Sequence, residues 1–219
     1  MKKNVKTILL ASAAALAFGG IAVGTTFALF TSKAETNVTV QSGTVKVEQT
    51  SEITSVFELN DTPVSASEGV YTNSIGGKAY IDSANINVLH LEKWAPGDKA
   101  VIEFTNINKS NIAIKSRFTY NHTSTSEYDL FEKLDFVVEA YDAEDNPIQH
   151  PEYWDTYAAA EDTTAGYLMS KVVVTITFVD GDNGEIKYDP YNNDNQYQDS
   201  NCTIYFSLEA VQGNADVGE

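Results

Sequence analysis

Three histidines, His90, His122 and His150, are the side chains best suited to holding a metal or moving a proton, and their spacings do not repeat. Zinc hydrolases place two histidines one helical turn apart, as in His-Glu-x-x-His, and that motif is absent. In His90-Leu91-Glu92, strand spacing would put an imidazole and a carboxylate on one face, two ligands of a zinc site that needs three or four. Asp180-Gly181-Asp182-Asn183-Gly184-Glu185 begins like a calcium loop, with Asp180 and Asp182 as oxygen ligands. Gly184 stands at the fifth position, where an EF-hand needs an oxygen, and Asn183-Gly184 is a hairpin-turn signal. Asp189, Asp194 and Asp199 add oxygens nearby, so an irregular calcium site stays open beside the plainer reading of a solvated acidic loop. No Gly-x-Ser-x-Gly elbow is present, and Cys202 lies in a strand pattern, not at a helix start. Gly76-Gly77 lacks the context of a phosphate loop. These residues imply no enzyme and no resident cofactor, with zinc at His90 and Glu92 or calcium at the acidic loop as the alternatives.

The elements that would carry these residues are mostly strands. Valines alternate with polar residues from Asn37 to Val47, interrupted at Gly43, where a bulge or bend is expected. Strand character returns at Ala79 to Leu91. Trp94-Ala95-Pro96-Gly97-Asp98 predicts a type II turn with Gly97 at positive φ. Ala100, Ile102 and Phe104 then share one face, and Ile112, Ile114, Phe118 and Tyr120 restart the alternation after a polar connector, Asn106 to Asn111. Two adjacent antiparallel strands are expected there. Ser126 and Asp129 resemble a capping box before Leu130, Phe131 and Leu134, which predicts a short helix and then a strand through Phe136, Val138 and Ala140. Asp145-Asn146-Pro147 is a turn. Pro151 to Asp162 is expected to be a second helix, with Pro151 in its first turn and three alanines favouring it. Val172 to Phe178 and Ile204 to Ala210 alternate most regularly, with Cys202 as a small buried apolar residue. Many short strands and few helices predict a mainly β fold, a jelly-roll-like β-sandwich with a few short helices.

Charge limits the partners. The 219 residues hold 14 basic and 31 acidic side chains, a formal charge of −17. Nucleic acid is excluded, because phosphate contacts need clustered Lys and Arg. A single cysteine permits no internal disulfide, so the core must hold the fold by itself. Lys2, Lys3 and Lys6 precede an uncharged run from Thr7 through Ser32, the layout of a secretory signal helix. That run is also long enough, at ~20 apolar residues, to span a bilayer, so an uncleaved anchor competes with a cleaved signal. Small residues stand at the −3 and −1 places twice, ending at Ala28 and at Ala34. Removing residues 1–28 takes three lysines and no acids, leaving 11 basic against 31 acidic residues, a charge of −20. The stretch from Phe27 to Val47, where export signal turns into strand pattern, therefore organises the chain.

The motifs together resemble the TasA/camelysin family, secreted proteins of Gram-positive bacteria matured by a SipW-type signal peptidase. The resemblance rests on Gly24-Thr25-Thr26-Phe27-Ala28-Leu29-Phe30, Gln41-Ser42-Gly43-Thr44-Val45, Ala95-Pro96-Gly97-Asp98-Lys99, Tyr128 to Val138, and Thr203-Ile204-Tyr205-Phe206-Ser207-Leu208-Glu209-Ala210. It implies cleavage between Ala28 and Leu29, with residues 1–28 as signal peptide, 29–40 as N-terminal donor strand and 41–212 as β-sandwich; the Asn-rich loop 191–201 and the polar end, 213–219, read from its composition as a disordered acidic tail, depart from the family pattern. It further implies assembly into extracellular biofilm-matrix fibres, Leu29, Phe30, Val38 and Val40 belonging to the strand donated to the next copy. The partners implied are the protein itself as a head-to-tail homopolymer, the signal peptidase during export and a matrix accessory protein; the membrane is met only before cleavage. The camelysin branch is labelled a metallopeptidase, although the usual zinc motif is missing here. The alternatives are a secreted camelysin-type zinc metallopeptidase and a monomeric cell-surface or spore-coat adhesin.

Overall fold

The computed structural model describes residues 25–27, 43–179, 197 and 199–217. Residues 1–24 of the signal segment, Ala28, the donor-strand residues Leu29, Phe30, Val38 and Val40, and both Asp180 and Asp182 lie outside the described residues. The strands are β1 (Thr25–Phe27), β2 (Thr44–Glu58), β3 (Thr62–Pro63), β4 (Ala66–Ser67), β5 (Val70–Thr72), β6 (Lys78–Ile81), β7 (Val88–Glu92), β8 (Lys99–Asn108), β9 (Ile114–Thr123), β10 (Leu134–Tyr141), β11 (Pro147–Ile148), β12 (Asp155–Tyr157), β13 (Tyr167–Phe178) and β14 (Asn201–Gln212).

Two antiparallel sheets form the sandwich expected from the sequence. One has the order β1-β2-β8-β13-β10-β11, with β3 added on β2; the other runs β12-β9-β14-β7-β6-β5-β4. From β7 onward the chain crosses between the sheets at nearly every connection, as it does in jelly rolls. The period-two pattern sets which side chains turn inward. Ile102 and Phe104 of β8, Val174 and Ile176 of β13, Leu89 and Leu91 of β7, and Ile204 and Phe206 of β14 interdigitate between the sheets with Trp94 and Leu130. Cys202 is buried among them as expected, and burial pushes its thiol up to about 12, with Asp129 adding to the effect. Among the described residues no helix is long and apolar enough to cross a membrane.

The turn before β8 forms as read. Gly97 has φ +95°, and Asp98 N donates to Ala95 O at 3.0 Å. Other expectations are corrected. The residues on either side of Asn106 to Asn111 do not form a hairpin: β8 pairs with β2 and β13, whereas β9 pairs with β14 and β12 in the opposite sheet. The polar connector alternates between buried and more exposed positions. Asn106, Asn108 and Ser110 are fully buried and bonded: Asn106 Nδ2 donates to Ser170 Oγ at 2.9 Å, and Gln49 Nε2 to Asn106 Oδ1 at 2.8 Å. Asn108 Nδ2 donates to Ala158 O at 2.9 Å and to the Tyr167 hydroxyl at 3.0 Å.

Neither expected helix forms as read. Leu130–Lys133 is one 3-10 turn, capped by Asp129, whose carboxylate accepts from Phe131 N at 3.0 Å. Ser126, expected to cap it, instead accepts from Asn201 N at 2.8 Å, and Leu134 is already paired with Phe178 in β10. Pro151 to Asp162 forms no helix. Its backbone groups are taken by distant partners, Asp155–Tyr157 pairing with β9, Ala160 N donating to Ser110 O at 2.8 Å and Ala158 O accepting from Asn108 and Tyr167. Tertiary hydrogen bonds override the alanine propensity. Ala79 to Leu91 is two strands, β6 and β7, joined by a turned loop. At the far end, Gly213 N donates to Ala113 O at 2.8 Å and Ala215 O accepts from Lys115 Nζ at 3.0 Å.

Candidate functional site

The stretch that organises the sequence meets the fold at Gly43. A Cβ there would stand 2.1 Å from Ile112 Cγ2, so the residue is glycine because the loop before β9 lies against the backbone. The chain then enters β2, the longest strand. Thr25–Phe27, immediately ahead of Ala28, runs antiparallel beside Thr44–Lys46 on the outer side of β2. The opposite end of that side is covered by Val64 N donating to Val56 O at 2.9 Å and the Tyr71 hydroxyl donating to Ile53 O at 3.1 Å. Between them, among the described residues, no strand pairs with the outer side of Val47–Glu52. Glu48 sits on this rim between Lys109 at 2.7 Å and Lys46 at 3.2 Å, and those hydrogen bonds hold its carboxyl below the ordinary range. Charge on an edge is a familiar guard against unwanted pairing.

A second edge is also open. β11 covers β10 only at Ala140 and Tyr141, so no described strand pairs with Leu134–Glu139 on that side. Across the sandwich, β12 likewise covers β9 only at Ile114–Ser116. Between these edges stand aromatic rings: Tyr120 stacks on Phe136 (centroids 4.8 Å, 12° apart), and Phe131 lies 5.0 Å from Phe136. Tyr120 is 39% exposed and Val137 49%.

The histidines converge on no common point; each has its own acid. His122 Nε2 lies 2.8 Å from Asp129 Oδ2 and its ring stacks on Phe131 at 3.7 Å. His150 Nδ1 lies 3.1 Å from Glu152 Oε1 on the surface. His90 and Glu92 do share the outer face of β7, as the spacing requires. His90 Nδ1 is 3.2 Å from Thr203 Oγ1 and Nε2 is 3.6 Å from Asp82 Oδ2, while its ring stacks on Tyr80 at 4.9 Å. Glu92 Oε1 accepts from the Tyr80 hydroxyl at 3.0 Å; burial foremost, and then this bond, raise the Tyr80 phenol. Among the described residues no group of three or more His, Cys, Asp or Glu is placed to hold a metal ion. Asp82 is held low chiefly by the Ala84 amide, with His90 a lesser contributor. Beside His90 and Glu92 opens a hollow of ≈ 300 Å³ that extends past Lys93, Thr123 and Asn201 to Asp199.

Compared with known proteins, the chain matches no family model and no curated protein. Sequence reasoning missed the exposed edge of β10, whose signal was Val137 facing away from a strand otherwise read as buried on one side. It also missed the register that sets Tyr80, His90, Thr203 and Thr123 side by side, since pairing between strands distant in sequence leaves no local pattern.

Proposed function

We propose that this protein is a secreted structural subunit of Gram-positive bacteria that assembles with its own copies into extracellular matrix fibres. The N-terminal stretch of one copy, residues 29–40, adds as a strand to an open sheet edge of the next. The observation that carries this reading is the edge of β10, Leu134–Glu139, which no described strand covers and which lies beside the Tyr120–Phe136 stack. An edge of this kind offers unpaired N–H and C=O groups, and an added strand satisfies them while its alternate side chains fill adjacent gaps. Twelve extended residues at about 3.3 Å each reach further than the six-residue edge requires. Leu29, Phe30, Val38 and Val40 are the apolar side chains available to meet the aromatic cluster. The donor leaves from β2 and the acceptor is β10, so the contact joins two different surfaces head to tail, the kind that builds an open filament when its rotation does not close a ring.

Cleavage between Ala28 and Leu29 by a SipW-type signal peptidase is the natural trigger, because an uncleaved signal keeps the donor at the membrane. The cut also removes Thr25–Phe27, which in the full chain occupies the side of Thr44–Lys46. A matrix accessory protein is a further partner on this reading.

The test compares the mature chain beginning at Leu29 with one lacking residues 29–40, by negative-stain electron microscopy and size-exclusion chromatography. Filaments from the first and monomers from the second are expected, with a synthetic 29–40 peptide binding the truncated protein. Normal filaments from the truncated chain would sink the proposal.

A further inference from the structure

The outer face of the second sheet carries a polar constellation that assembly through an edge does not use. Tyr80, His90, Thr203 and Thr123 stand directly opposite one another across β6, β7, β14 and β9, and Lys78, Glu92 and Asn201 form the next row. The hollow of ≈ 300 Å³ opens over the His90, Thr203, Thr123, Glu92 and Asn201 part of these rows, at the small end of the range for ligand sites. Several of its groups are already tied to neighbours. The Tyr80 ring backs the imidazole of His90, and Thr203 Oγ1 steadies Nδ1. Asn201 Oδ1 accepts from Thr125 N at 3.3 Å and Thr125 Oγ1 at 3.1 Å, which leaves the amide NH2 to donate outward. Lys93 has φ +52°, a left-handed conformation uncommon for a side chain of this size, and its ammonium lies 3.7 Å from Asp199.

The chemistry of this lining selects the ligand. A metal ion needs ligands converging on one point. Here Glu92 is engaged by Tyr80, His90 lies between Thr203 and Asp82, and the Lys93 ammonium already stands beside Asp199. A polyanion would meet a chain of charge −17. An apolar ligand would find Leu91 and Cys202 in the lining but would leave the surrounding hydroxyls, amide and charged groups without partners. A neutral polyol suits these groups, because each sugar hydroxyl both donates and accepts and the lining offers both kinds of partner. We propose that the hollow over His90, Thr203 and Asn201 binds a neutral glycan, a short stretch of a longer polysaccharide. The site lies on a sheet face, whereas the proposed strand addition uses an edge.

The mature chain is titrated calorimetrically with cellohexaose, chitohexaose, dextran and mannan, with heparin as the anionic comparison and EDTA present in a parallel series. At least one neutral glycan is expected to bind, with heparin inert and EDTA without effect. His90→Ala and Thr203→Val should each weaken that binding by about tenfold, the loss of one well-placed polar contact. Hydrogen exchange on the unaltered protein with the bound glycan should protect β7 and the start of β14, a readout that needs no variant to fold. Absence of binding to all four neutral glycans, binding to heparin alone, loss of binding in EDTA, unchanged affinity in both variants, or protection confined to other strands would each overturn the proposal.

Discussion

Asp98 shows how one side chain couples this fold to pH. Its carboxylate is 3% exposed and accepts from Ala95 N and Asn73 Nδ2, both at 2.8 Å, which ties the turn before β8 to the loop before β6. Burial raises its pKa from 3.8 to about 6, outweighing those two hydrogen bonds. The folded state therefore holds the proton more tightly than the unfolded chain, and this group's contribution to stability falls as pH rises from about 4 to about 6, then stays low. Asp98→Asn keeps an oxygen for both donors and removes the buried charge. It should gain on the order of 2 kcal/mol relative to wild type above pH 6 and nothing below pH 4, as read from urea unfolding across that range. A variant equally destabilised at both pH values would show that the amide cannot occupy the site. Asp98 was legible in the sequence as a turn residue, whereas its burial was not, because Asn73 comes from 25 positions away. Asn106, Asn108 and Ser110 present the same difficulty more sharply. Three polar residues in a row of alternates read as a polar connector, and distant partners, Ser170, Gln49, Ala158, Tyr167 and Lys46, make their burial tolerable.

At the scale of elements, alternation found β8, β9, β13 and β14 because each buries one face and its period is set by the pleat. Which strand lies beside which was not visible. The Asn106–Asn111 segment turns the chain from one sheet into the other, and a tight hairpin and a sheet-crossing corner can share the same polar composition. Helix signals failed at Pro151 to Asp162 because local propensity is worth tenths of a kcal/mol per residue against several tertiary hydrogen bonds. The edge of β10 gives the element-scale prediction. Asp135, Val137 and Glu139 face outward there, and Val137 is the apolar one, set between two carboxylates. Val137→Lys places a flexible, strongly hydrated cation on the edge without touching the core. It should leave the melting temperature within a degree or two, in keeping with surface substitutions of about 0.5 kcal/mol, while lowering filament yield several-fold in electron micrographs. Unchanged filaments from this variant would move the acceptor away from β10 and toward the open part of β2, Val47–Glu52.

For the whole molecule, charge sets the barrier to any self-association. Without residues 1–28 the chain carries 11 basic and 31 acidic residues, so two approaching copies repel one another over their entire surfaces. The proposed donor does not share that burden: between Leu29 and Val40 the only charged residues are Lys33 and Glu35, which cancel. Docking of the strand is thus a short-range event of backbone pairing and apolar contact, and approach of the two bodies is the step that ionic strength governs. The screening length falls from about 30 Å at 0.01 M salt to about 8 Å at 0.15 M, the latter shorter than the distance between two sandwich centres. At fixed pH, which leaves Asp98 and the other carboxylates in one protonation state, filament growth followed by light scattering should accelerate steeply from 10 to 150 mM sodium chloride and then level off. The free 29–40 peptide should bind the truncated chain with an affinity that changes little over the same range, since it brings no net charge to the edge. Growth that slows with salt would mean that opposite charges on the two bodies, not the strand, hold the copies together; the Glu48 cluster with Lys46 and Lys109 would then be the first contact to mutate.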